Sequence, residues 1–106
     1  MSTAYNPDLS NVGEVARIRQ GTIIGSSGWK LALDMEVELE YTGEYVIATN
    51  SWIDEYGHGD TREEAIEDLL ISLVEFRDSL ECQNQRSQLA EELLETLDKL
   101  NILLIS

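Results

Sequence analysis

Tyr56-Gly57-His58-Gly59-Asp60-Thr61-Arg62-Glu63-Glu64-Ala65 divides the chain into a strand-like half and a helical half. Thr61 stands three residues before Glu64 and just ahead of a periodic apolar run, the spacing of a capping box. The Thr61 hydroxyl is expected to accept from the amide of Glu64, and the Glu64 carboxylate from the amide of Thr61. Two donors that a helix start leaves free are then satisfied, and a good cap contributes about 1 kcal/mol. Glu63 and Glu64 lie where the positive end of the helix dipole favours carboxylates. Gly57 and Gly59 are expected to let the backbone turn through positive φ on the way in.

Downstream, Ala65, Ile66, Leu69, Leu70, Leu73, Phe76 and Leu80 fall in one arc of a helix running to about Cys82, with Val74 at its edge. The other side holds Glu67, Asp68, Glu75, Asp78 and Ser79, with Ile71 in their midst. An apolar residue ringed by charge has the form of a binding anchor, so Glu67, Asp68, Ile71, Glu75 and Asp78 make a candidate partner surface. After a polar stretch from Gln83 to Gln88, Leu89, Leu93, Leu97, Leu100 and Leu104 recur at helical spacing. The pattern allows one continuous helix or two. A single helix over a small sheet leaves Leu89, Leu93, Leu97 and Leu100 to be covered, which points to a homodimer formed through them. Packing back onto the same subunit is the alternative. Asn101 ends this helix, leaving Ile102-Leu103-Leu104-Ile105 as a frayed turn or a short extended tail.

Upstream, Leu31, Leu33, Met35, Val37, Leu39 and Tyr41 alternate with Lys30, Ala32, Asp34, Glu36, Glu38 and Glu40. Period two predicts one strand over the whole run, with one buried face and one solvated face. Thr42-Gly43 links it to a second strand, Glu44 to Asn50, as an antiparallel hairpin. Ser51 to Tyr56 reads as a shorter extended piece. Val15 to Ile24 reads as a strand, although a short helix ending near Gly21 fits almost as well, and Gly25-Ser26-Ser27-Gly28 as a turn. The expected fold is α+β: an antiparallel sheet of three or four strands, one main amphipathic helix on one face, and a second C-terminal helix. Residues 1–13 are expected to form a loose arm, 14–82 the α+β domain, and 83–106 a helical extension serving oligomerisation.

A length of 106 residues and an apolar fraction of 42% fit one folded domain. Formal net charge is −14, and the seven basic residues stand singly, so direct DNA or RNA binding by this chain alone is not expected. Such a balance steers a protein towards a basic partner, or marks an acidic cytosolic protein with none. Cys82 is the only cysteine, which excludes an intramolecular disulfide and suits a reducing compartment. The first residues have neither the basic flank nor the apolar core of a signal peptide, and no apolar run reaches membrane-spanning length. Cytoplasm is the expected location.

Sites for chemistry are sparse. Asp54, Glu55, His58 and Asp60 crowd together, and a metal-assisted hydrolase would draw on Asp54, His58 and Asp60. From Asp54, however, the third and twelfth positions of a calcium loop are Tyr56 and Ala65. Zinc would need more than one His and one Cys. No metal, cofactor or catalytic residue is expected. Gly21-Thr22-Ile23-Ile24-Gly25-Ser26-Ser27-Gly28 lacks the Gly-Lys-Ser/Thr ending of a phosphate loop. The row Asp34, Glu36, Glu38 and Glu40 reads as the solvated side of a sheet, or as a face that docks a basic surface or mimics nucleic acid.

The order of hairpin, extended piece, and Gly59-Asp60-Thr61 with Glu64 and Ala65 into an amphipathic helix resembles the HicB-like antitoxins, over roughly Leu31 to Leu80. The resemblance implies a partial RNase H-like fold without its activity, a tendency to dimerise, and neutralisation of a small basic RNA-cleaving toxin of the HicA type. An orphan HicB-like adaptor or oligomerisation module with no toxin is the second expectation. Family members often add a DNA-binding segment at the C-terminus; Gln83 to Ser106 holds only Arg86 and Lys99, so operator binding is not expected. A proline-containing segment often precedes the motif, where this chain has Asn50-Ser51-Trp52-Ile53-Asp54-Glu55.

Overall fold

A computed structural model describes residues 12–106. Strands β1 (Val12–Ile18), β2 (Ile23–Ile24), β3 (Trp29–Leu31), β4 (Met35–Tyr41), β5 (Val46–Asn50) and β6 (Glu55–Gly59) precede helices α1 (Arg62–Arg86) and α2 (Glu91–Leu103). A last short strand, β7 (Leu104–Ile105), follows. The architecture is α+β. A four-stranded antiparallel sheet has the order β1-β4-β5-β6, and a three-stranded one the order β2-β3-β7. The loose arm expected over residues 1–13 falls outside the described residues up to residue 11, and β1 begins at Val12.

Alternation carries the hairpin as expected. Met35, Val37 and Leu39 of β4 are buried with Val46 and Ala48 of β5, while Glu36, Glu38 and Glu40 are exposed. The predicted single strand from Lys30 to Tyr41 is two strands. Between them residues 32–34 turn a corner, so that Leu31 belongs to the small sheet and Met35 to the large one. The corner is held by Ala32, whose amide donates to the Leu103 carbonyl at 2.7 Å, and by Asp34, which accepts from the Gln20 amide at 2.8 Å. Leu33, expected inside, is 40% exposed. The stretch from Val15 to Ile24 is likewise broken, by a turn at Gln20-Gly21 where Gly21 takes φ +90°.

Helix α1 buries Ala65, Ile66, Leu69, Leu70, Leu73, Val74 and Leu80, the stripe its spacing predicts, chiefly against β6 and β5. It runs past Cys82 to Arg86, and a short link of residues 87–90 separates it from α2, so the helical half is two helices. Helix α2 folds back on α1 and continues beyond Asn101 to Leu103. The tail then extends as β7 and pairs with β3. Two polar contacts, from Asn101 and Lys99, hold α2 in place, and a third ties α1 to β3. Arg77 lies 4.5 Å over the Trp29 ring, its Nε donates to Asn101 Oδ1 at 2.8 Å, and Lys99 donates to the Trp52 carbonyl at 3.2 Å.

Candidate functional site

Gly59, Asp60, Thr61, Glu64 and Ala65 form the junction of β6 and α1. Thr61 is the N-cap, and its hydroxyl accepts from the Glu64 amide at 3.1 Å. The Glu64 carboxylate reaches back one residue further than expected, accepting from the amide of Asp60 at 2.9 Å. The glycines serve a different purpose from the one the sequence suggests. Gly57 and Gly59 lie within β6, and neither is among the described residues with positive φ. A Cβ on Gly57 would collide with the backbone nitrogen of Leu69, and one on Gly59 would lie 2.7 Å from the backbone nitrogen of Ala65. The helix backbone rests directly on the strand, so both positions exclude a side chain. The chain reverses earlier, over residues 51–54, which were expected to be extended, and Asp54 takes φ +66° there.

Carboxylates also close the outer edge of β6. Asp68 accepts from the His58 amide at 2.9 Å, Glu64 from that of Asp60, and Glu55 from that of Tyr56 at 3.2 Å. An edge strand saturated in this way offers few donors for pairing with a further strand. At the opposite side, Glu14 of β1 accepts from the Tyr41 hydroxyl at 2.6 Å and lies 3.5 Å from Arg62. That hydrogen bond, aided by partial burial and the Glu14 charge, holds the Tyr41 pKa above the usual tyrosine value of 10.0.

The candidate partner surface on α1 is partly engaged: Asp68 is half-buried, while Glu67, Ile71, Glu75 and Asp78 are exposed. Asp68 holds β6, Asp78 lies 3.0 Å from Arg77, and Ile71 is 37% exposed. Glu67 and Glu75 remain at the surface. The leucines expected at a dimer contact serve the chain's own core. Leu89, Leu97 and Leu100 are buried within one chain and Leu93 is half-buried, because α2 folds onto α1 and the chain's own core supplies the cover assigned to a second copy. Asp54, Glu55, His58 and Asp60 do not converge. Among the described residues no group of three or more His, Cys, Asp or Glu is placed to hold a metal ion.

Topology assembles a surface that single-strand patterns do not reveal. On the sheet face away from α1, cross-strand partners form the rows Val15-Glu38-Thr49-Tyr56 and Glu40-Ile47-His58, with Arg17 opposite Glu36. Tyr45 adds an edge-to-face contact with His58, ring centroids 6.1 Å apart. Tyr56 is 61% exposed and Val15 65%, and no described element lies over them. A shallow concavity at one end is lined by Glu44, Tyr45, Ile47, Tyr56, His58 and Asp60. Extending the alternation of β4 through the hairpin register to β5 and β6 is the one sequence signal that reaches this face.

Among the described residues no helix is long and apolar enough to cross a membrane. No known family model, curated protein or solved structure matches the chain.

Proposed function

We propose that the chain is a non-enzymatic, acidic antitoxin resembling the HicB-like proteins, and that it binds and neutralises a small basic RNA-cleaving toxin of the HicA type. The reading is carried by the junction: a β-hairpin, a further antiparallel strand, and Gly59-Asp60-Thr61 capping a helix that rests on glycines. The nature of the partner comes from charge. At −14 the chain attracts a basic protein over distances at which neutral surfaces are indifferent.

The test is co-expression. Any small basic protein encoded beside this chain's reading frame is induced alone and then together with the chain. Arrest of growth in the first case and growth in the second is the expected result. Arrest that persists with both present would contradict the reading, and a neighbourhood with no such frame would favour the orphan adaptor.

A further inference from the structure

We infer that the open face of the β1-β4-β5-β6 sheet is the docking surface, and that its occupant is a basic protein segment presenting arginine side chains. The inference rests on the basic-partner reading above and adds where that partner sits.

Two kinds of surface lie side by side on this face. Glu36, Glu38 and Glu40 project from β4, and Arg17 is the only Lys or Arg in the described cross-strand rows of this four-stranded sheet. It lies 3.5 Å from Glu36 and 3.8 Å from Asp34, so Glu38 and Glu40 have no ion-pair partner among the described residues. Next to them run Ile47, Tyr56 and Tyr45, with Val15 on the other flank. Exposed apolar residues are ordinary one at a time. Here Val15, Tyr45 and Tyr56 are exposed and Ile47 half-buried on one uncovered sheet, beside carboxylates whose charge selects the partner's sign.

Arginine fits both parts. Its planar guanidinium pairs with a carboxylate in bidentate fashion and also stacks on aromatic rings. Glu38 and Tyr56 are two strand spacings apart, about 10 Å, and Glu38 and Glu40 about 7 Å along the strand. Adjacent arginines of one segment can therefore hold the glutamate row while their stems cover Thr49 and Ile47. The chain contains both contacts in its own fold: Arg17 on the same glutamate row, and Arg77 over Trp29. Helix α1 is the poorer surface: Asp68 and Asp78 already hold the His58 amide and Arg77, and Ile71 is its one exposed large apolar residue, against Val15, Tyr45 and Tyr56 on the sheet.

The experiment is nuclear magnetic resonance on the full 15N-labelled chain, titrated with a synthetic arginine-rich amphipathic peptide. A counterpart with glutamate for arginine is the control. Shifts should map to residues 36–40, 45–49 and 56–58. They should vanish in the Glu38→Lys, Glu40→Lys double variant and weaken several-fold in Tyr56→Ala. Glu67→Lys with Glu75→Lys, an equal change of charge on α1, should leave them in place. Each variant's own spectrum reports whether it folds, and Tyr56→Ala stands alone should the double variant not do so. Shifts confined to α1, spread evenly over all carboxylates, or absent would overturn the proposal. So would concentration-dependent self-association relieved by Tyr56→Asp, which would give the face to a second copy. If the peptide maps to the sheet while co-expression gives no rescue, the toxin reading fails and the surface stands. Rescue together with a shift pattern on α1 has the opposite meaning.

Discussion

Gly57 and Gly59 hold their places because the backbone of α1 lies where a side chain would begin. Gly57→Ala must push a helix off a strand, and a loss of about 3 kcal/mol or more is expected. Gly28→Ala gives the contrast. That site is open but sits at φ +86°, so about 1 kcal/mol should go to backbone strain alone. Urea midpoints of the two variants check the order; equal losses would mean that α1 does not rest on Gly57. Thr61→Ala should cost about 1 kcal/mol by the same measurement. Tyr41 supplies a pH signature. Its folded pKa is raised by the bond to Glu14, so the associated stability is complete below pH 10.0 and fades as pH rises through the higher folded value. A spectrophotometric titration should show a component ionising above pH 10.0 that Tyr41→Phe removes. The cap was legible in the sequence because its chemistry is local. The role of the glycines was not, since a glycine needed for positive φ and one needed for close approach look the same until the element above them is in place.

At the scale of elements, the legible features were those in which one periodicity persists: the α1 stripe, the β4 alternation and the hairpin. Errors fell where an element ends without breaking the period. Leu31 and Met35 keep strand parity across a corner, so nothing in the alternation marks the passage from one sheet to the other. The pattern of the C-terminal tail fits turn and strand equally, because its partner, β3, lies far away in sequence. The leucines of α2 read correctly as an apolar stripe, but which surface covers them is a matter of tertiary folding. Leu100 is fully buried within the chain, so Leu100→Ala should cost about 2–5 kcal/mol. The thermal midpoint should not vary with protein concentration, in parent or variant. A midpoint that climbs with concentration would show a second copy contributing to this core.

For the whole molecule, a charge of −14 on 106 residues sets self-repulsion against the attraction of a basic partner. Added salt screens both, so the melting temperature of the free chain should rise while its association with a basic protein slows. The proposed function rests on the sign of the charge and the junction motif alone. The open sheet face emerges only when four strands are in register, because Val15, Glu38, Thr49 and Tyr56 are neighbours in space and scattered in sequence. The decisive measurement is calorimetric titration of the proposed small basic partner into the parent chain, the Glu38→Lys, Glu40→Lys variant and the Glu67→Lys, Glu75→Lys variant. The parent and the helix variant should bind alike, and the sheet variant at least about tenfold more weakly. A sheet variant that binds as the parent does, or a helix variant that alone loses affinity, would contradict it.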